Sequence, residues 1–296
     1  MVDQLAAAVA RHSEGAWCDS GVPRLTLVSL DEPIAPMDML YEPMICFVAD
    51  GAKHSSAGEL SWATGRGEMF FNSQIIPVTA VFQRLPYRSA VMRLDGRVLA
   101  DLLLELEGAA PQPSTGSVGR IAAPMTPEIV DAVTRWVRLL DTPGDIPALA
   151  PRIEAEILYR LLGSPLGPML RRFTPVETAA SRVRAAAAWI CAHYREPLTV
   201  EGIAAIAHMS TASLHRHFKA ATGMSPLRFQ KQLRLQEARR RLIAGDATAV
   251  LVAEAVGYVS ATQFTREYRR MYGLPPARDA ARQRERLTAP RPARQG

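Results

Sequence analysis

The sequence is poor in aromatic residues, at 6% of 296, and holds only three cysteines. Cys18, Cys46 and Cys191 are odd in number and far apart, so they offer neither a disulfide framework nor the paired spacing of a zinc site. No run approaches the roughly 20 uncharged apolar residues that a membrane-spanning helix requires, so no membrane partner is expected. The first residues carry Asp3 ahead of a short alanine-rich stretch and lack the basic start and long apolar core of a secretory signal. These absences point to a reduced, cytoplasmic protein. Apolar residues still make up 48% of the chain and charged residues 22%, which excludes wholesale disorder. The length suits one large domain or two ordinary ones.

The net charge of +6 conceals a division. Residues 178–296 hold 20 Lys/Arg against 8 Asp/Glu, whereas residues 1–177 hold 15 against 21. A shift that sharp predicts two domains with different partners, the basic one suited to a polyanion.

Short apolar segments at 25–30, 44–48, 60–62, 68–71, 78–83 and 87–94 read as strands, with breaks at Asp50-Gly51, Ala57-Gly58, residues 65–67 and Ile76-Pro77. Many short strands between turn residues predict a small sandwich or barrel. Beyond Asp95-Gly96 the spacing turns helical, in Val98, Leu102 and Leu106, then Ile129, Val133 and Trp136, then Ile153, Ile157 and Leu161. Residues 108–119, rich in Pro, Ser and Gly, read as a loop. The stripes on 127–141 and 148–162, with Trp136, Leu140, Ile157 and Leu161, suit either a homodimer interface or closure of the domain's own core. Phe173-Thr174-Pro175 marks a boundary, because the residue before proline resists the helical conformation. The organisation expected is a domain at 1–172, a linker at 173–178, a helical domain at 179–286 and a disordered tail at 287–296. The fold class is thus α+β in two domains, a β-barrel with trailing helices followed by an all-α domain.

The second domain repeats itself. At an offset of fifty, Ala205 meets Ala255, Ile206 meets Val256, Ser210 meets Ser260 and Leu214 meets Phe264. Arg216 then meets Arg266, Phe218 meets Tyr268, Lys219 meets Arg269, Gly223 meets Gly273 and Pro226 meets Pro276. Each copy, at about 199–222 and 248–272, has the build of a helix-turn-helix. Ile203 and Ile206 are expected to face inward. Ser210 is placed to cap the second helix of the first unit, and Ser260 with Gln263 spells a capping box in the second.

Leu214 and Phe218, like Phe264 and Tyr268, are four apart and belong in the core. The outer faces of helices 211–222 and 261–272 then carry Ala212, His215 and Arg216, and Thr262, Gln263, Thr265 and Arg266. These are the candidates for reading bases in double-stranded DNA, since Arg presents two donors to guanine and Thr can meet a base edge or a thymine methyl. His215 suits a base contact, a phosphate contact or simple exposure equally. Thr211, Lys219, Arg269 and Arg270 are the candidates for phosphates, which position a protein without specifying sequence. The connecting helix 226–244 would span about 28 Å at 1.5 Å per residue, close to the ~34 Å of one DNA turn.

The second domain resembles the DNA-binding domain of AraC/XylS transcriptional regulators. The matching residues include Leu198, Ile203-Ala-Ala-Ile-Ala207, Ser210, Leu214-His-Arg-His-Phe218, Gly223 and Ser225-Pro226, then Arg234, Ala238-Arg239 and Leu242. Val252-Ala253, Val256-Gly257-Tyr258, Phe264, Tyr268-Arg269, Gly273 and Pro275-Pro276 complete the pattern. Tyr258 and Tyr268 stand where the family often has Phe, and Ala212 replaces a longer reading side chain. The first domain resembles the cupin-like companion domain of one AraC subgroup through Tyr41-Glu-Pro-Met-Ile-Cys46, Gly51-Ala-Lys53, Gly65-x-Gly-Glu68, Phe70-Phe71, Pro77-Val78 and Met92-Arg-Leu94. The resemblance implies a sequence-specific regulator of transcription whose first domain binds a small-molecule effector, forms a homodimer, or both. RNA polymerase is a further candidate partner. No residue of an effector site is singled out, and no cofactor is expected.

Three other readings accompany this one. Cupin barrels also serve metal-dependent enzymes, but the barrel segment holds only His54, with Glu59 and Glu68 as accompanying carboxylates, and no later histidine before His193. Open metal sites need three or four converging N/O ligands, so neither metal nor catalysis is expected. Cys46, inside an apolar strand, reads as a small buried hydrophobe. As a redox- or aldehyde-sensing thiol it would need an activating cation and access, and the sequence displays neither. A nonspecific nucleoid binder would need only the basic charge, and paired reading helices argue against it.

Overall fold

The computed structural model describes residues 1–106, 122–173, 178–245 and 247–288, and the chain divides into two compact units, Met1–Arg184 and Ala185–Gly296. The first begins with helix α1 (Val2–His12) and strands β1 (Trp17–Asp19), β2 (Leu25–Leu30), β3 (Met37–Tyr41) and β4 (Met44–Ala57). Strands β5 (Leu60–Gly65), β6 (Glu68–Asn72) and β7 (Ile76–Arg93) follow. After them come α2 (Gly96–Glu105), β8 (Ala122–Pro124), α3 (Pro127–Arg138), α4 (Ile146–Leu162) and α5 (Gly167–Arg171). The loop expected at 108–119 and the proline-containing linker at 174–177 lie outside the described residues.

The eight strands of the described residues form one antiparallel sheet in the order β1-β2-β7-β4-β6-β8, with β3 also on β7 and β5 also on β4. Where short strands were expected, β4 and β7 run unbroken for 14 and 18 residues. Asp50-Gly51 is not a break: it sits among three register shifts between β4 and β7, after Val48, Asp50 and Ala52. Such bulges bend a strand and re-aim its side chains while pairing continues. One half of β4 therefore pairs with β6 and the other with β5, so the sheet folds across itself. Residues from both halves line one cavity, including Val28 and Val91 on one side and Met39 and Phe82 on the other.

Helices cover the opposite face. Leu5 of α1, Trp136 and Val137 of α3, and Ile157 and Leu161 of α4 share a core with Leu27, Ile45, Phe47, Met69 and Met92. Trp136, Ile157 and Leu161 are wholly buried and Leu140 packs at the edge of that core. The apolar stripes close the unit's own core, and the dimer face expected at these residues is corrected. Glu154 of α4, also buried, receives both ends of the Arg24 guanidinium, with Nε 2.8 Å from its carboxylate.

The second unit is helical, formed by α6 (Ala179–His193), in which the division between units falls, α7 (Val200–Ile206), α8 (Thr211–Thr222) and α9 (Pro226–Ala244). Helices α10 (Ala249–Ala255), α11 (Ala261–Tyr272) and α12 (Pro276–Thr288) complete it. A hydroxyl caps the start of each helix from α7 to α11: Thr199, Ser210, Ser225, Thr248 and Ser260 all accept from the backbone N–H three residues on. Helix α12 continues through Thr288, two residues into the tail expected at 287–296.

The repeat is not a uniform shift of fifty. The first helices, α7 and α10, start at an offset of 49, and the second helices, α8 and α11, at 50. The extra residue is Val259, fully exposed in the second turn. Structurally, Ile203 corresponds to Val252, Ala204 to Ala253 and Ala207 to Val256, and all six are buried. Ile206, expected to point inward, is 42% exposed. At 100° per residue it lies outside the arc shared by 203, 204 and 207.

Candidate nucleic-acid interface

Burial fixes which side each second helix shows. Leu214 and Phe218 of α8 are fully buried, Phe218 against Phe229 of α9 with ring centroids 5.3 Å apart. Phe264 and Tyr268 of α11 are buried with Tyr258. The remaining faces are solvent-exposed. Ala212, His215 and Arg216 lie on the outside of α8, and Thr262, Gln263, Thr265 and Arg266 on the outside of α11. Thr211, Lys219, Arg269 and Arg270 are exposed at the same surfaces. Among the described residues no carboxylate holds Arg216 or Arg266; Arg216 has only a 3.4 Å contact with the ring of His217.

Local bonds fix both helix caps and qualify two of these positions, Gln263 and Thr265. Ser210 accepts from Ser213 N at 3.3 Å and Ser260 from Gln263 N at 3.2 Å. The capping box expected at Ser260 and Gln263 is half made, because the Gln263 side chain turns along the helix to Glu267 at 3.3 Å. Thr265 donates its hydroxyl to the Ala261 carbonyl at 2.9 Å, which leaves its methyl and lone pairs outward.

Helix α9 holds both helix-turn-helix copies of the second unit. Its buried residues Pro226, Phe229, Gln230 and Leu233 fall on one side, and Leu235, Ala238 and Leu242 on a nearly opposite side. The first set meets Phe218 and, through Gln230 Nε2, the carbonyls of Tyr194 and Glu196 at 2.9 and 2.7 Å. The second set packs with Val252, Val256 and Phe264.

Polar anchors then fix α11 and α12 on α9. Glu267 takes Lys231 Nζ and the Tyr258 hydroxyl, each at 2.9 Å. Burial raises the Glu267 pKa, but those donors outweigh it and hold the carboxyl below its usual range. Asp279 behaves likewise: burial pushes it up, and Arg239 at 2.8 Å with the Tyr268 hydroxyl at 2.9 Å brings it below. Hydrophobic pattern alone does not reveal these buried pairs.

In the first unit, the sequence candidates for a metal site are spread over β4 (His54), the turn after it (Glu59) and the start of β6 (Glu68). His54 Nε2 lies 2.9 Å from Ser61 Oγ, and Glu68 accepts from Gly65 N at 2.7 Å. Among the described residues no three His, Cys, Asp or Glu side chains gather as metal ligands. Cys46 is buried, as expected, but a cation stands beside it: Lys53 Nζ donates to Cys46 Sγ at 3.6 Å. Residues seven apart on a regular strand face opposite ways, and the bulges of β4 bring these two to one side. Among the described residues no helix is long and apolar enough to cross a membrane.

Residues 21–169 match the family of AraC-type transcriptional regulator N-termini, and residues 203–282 match a helix-turn-helix domain family. The chain is 37% identical over 100 residues to the HTH-type transcriptional regulator YobQ of Bacillus subtilis, covering 34% of this chain and 42% of that protein. It is 28% identical over 231 residues to the "Probable thc operon regulatory protein" of Rhodococcus erythropolis, covering 66% of this chain and 68% of that one. Among solved structures, apo ToxT from Vibrio cholerae shares the fold, with TM-score 0.52 and 8% identity over 92% of this chain and 99% of that one.

Proposed function

The chain belongs to the AraC family of transcriptional regulators, and from that premise we propose that α8 and α11 read two adjacent major-groove segments of one operator. The carrying observation is the recurrence, on one linker helix, of a capped helix with an exposed arginine that no carboxylate holds among the described residues, Arg216 in α8 and Arg266 in α11. In this reading Ala212, His215, Thr262, Gln263 and Thr265 face base edges beside those arginines, while Thr211, Lys219, Arg269 and Arg270 take phosphates. The protein acts in the cytoplasm as a regulator without catalysis, and the first unit binds a small effector that shifts an existing equilibrium between operator-competent and incompetent arrangements.

Selection of sequences from random DNA, followed by binding with competitor present, tests this. A strong preference for one motif at moderate salt supports it. Equal binding to every sequence would sink it. The reading extends to a homodimer that contacts RNA polymerase, with pairing through a surface other than the buried Trp136, Ile157 and Leu161. Light scattering counts the chains, and a monomer with and without operator defeats that part.

A further inference from the structure

The folded sheet of the first unit carries a cavity of about 170 Å³ that opens to solvent on one side. Its wall is mostly apolar, with Trp17, Val28, Met39, Phe82 and Val91, and Glu42 and Arg93 are the exposed charged residues that also line it. Lys53 lines the same cavity and is itself only 6% exposed. Its ammonium donates to Cys46 Sγ at 3.6 Å and lies 5.4 and 5.7 Å from the ring centroids of Tyr41 and Tyr87. Among the described residues no carboxylate pairs with it.

We infer that this cavity takes a small organic monoanion, a carboxylate on an apolar body about the size of one ring, with Lys53 recognising its charge. An unpaired ammonium in an apolar interior is costly, and a thiol is a weak acceptor. Methionine would fill the same space without that cost. Burial pulls the Lys53 pKa down, while the side chains of Cys46 and Tyr41 act against burial and hold it above the ordinary lysine range. Burial in turn keeps the Tyr87 phenol neutral by pushing it up. The site therefore presents a buried amine on a mostly apolar wall, with no carboxylate paired to it among the described residues.

Volume and charge set the ligand's limits. A dry cavity of about 150 Å³ accommodates benzene, so 170 Å³ suits one ring or a short branched chain. A single buried cation matches a carboxylate better than a phosphate dianion, which would leave a second charge uncompensated. The strand bulges are what make the site, since without them Lys53 would project to the opposite face from Cys46.

The inference rests on the reading of the first unit as the effector-binding one, and its test is kept apart from DNA. Calorimetric titration of the full chain with cyclohexanecarboxylate, 4-methylpentanoate and benzoate is compared with the matched alcohols. At least one acid should bind at least about tenfold tighter than its alcohol. Lys53→Met should abolish that difference while leaving the melting temperature equal or higher. Lys53→Gln serves if Lys53→Met does not fold, and the acid-to-alcohol ratio on the parent chain decides independently. Equal affinity for acid and alcohol, silence with all three acids at millimolar concentration, or an acid preference that survives Lys53→Met would each overturn the site. An acid that binds but leaves operator affinity unchanged would instead overturn effector control and leave the site standing.

Discussion

Gly257 holds in the second helix-turn-helix the place that His208 holds in the first, and both take the left-handed conformation, at φ 90° and 50°. Each bends the chain so that the next N–H returns to the preceding helix, Met209 to the Ala204 carbonyl at 3.0 Å and Tyr258 to the Ala253 carbonyl at 2.9 Å. The two turns are equivalent in geometry and unequal in tolerance. His208 is exposed, whereas a Cβ on Gly257 would collide with the backbone carbonyl of Arg195.

Gly257→Ala should therefore destabilise the second unit by about 2 kcal/mol or more, combining left-handed strain with the clash. His208→Gly should stay within about 1 kcal/mol of the parent, because it relieves strain and adds chain entropy. Urea unfolding followed by circular dichroism compares them, and equal effects at the two turns would contradict the assignment.

The carboxyls of Glu267 and Asp279 are both held below their usual range. Depressed acids contribute stability above the unfolded pKa values, about 4.3 and 3.9, and lose it as pH falls through the folded values. Unfolding free energy of the second unit should thus stay level from neutral pH to about 5 and decline below about 4. Asp279→Asn should lower stability at neutral pH and flatten that decline. A pH dependence as steep as the parent's in this variant would refute the role given to Asp279.

On a selected operator, Arg216→Ala and Arg266→Ala should each cost about 1–3 kcal/mol and relax preference at one position in separate half-sites. Lys219→Ala should weaken all sequences alike and reduce the salt slope by about one unit. Quantitative gel shifts at several salt concentrations separate the two behaviours. Arginine variants that bind like the parent would remove the outer faces from the interface.

Arg24 satisfies the buried Glu154 with a two-ended contact. Arg24→Ala leaves that carboxylate without its cation and should cost about 3 kcal/mol, the low end of the range for such losses because Arg24 is partly exposed. Adding Glu154→Leu should recover most of the loss. If the double variant melts no higher than Arg24→Ala, the pair stabilises by some other route.

The helical half was legible because its signals are local: hydroxyl caps, apolar pairs four apart, and glycines after helix ends all act within one or two turns. The misread positions involve a change of phase. Val259 adds a single residue to the second turn, which a search at constant offset absorbs by pairing Ile206 with Val256 instead of Ala207. In the sheet, Asp50-Gly51 resembles a turn by composition, yet the chain runs straight through it with a bulge. That bulge also hid Lys53 from Cys46, since alternation counts residues while the bulge discards one. The helices carrying Trp136 and Ile157 were found, but whether an apolar stripe meets its own sheet or another chain depends on long-range packing that no local pattern contains.

Helix α9 has a consequence for how the operator can change over evolutionary time. Because it grips the two helix-turn-helix copies on nearly opposite sides, each residue inserted or deleted within it would swing one copy about 100° around the other while moving it only ~1.5 Å. One base pair of DNA rotates its groove far less than that. No single-residue insertion or deletion can therefore be matched by a one-base-pair adjustment of the site. Alignment returns only after about seven residues, two full turns. In the proposed reading the interval between half-sites is therefore set by this helix, and regulators that share it should recognise different words at the same interval.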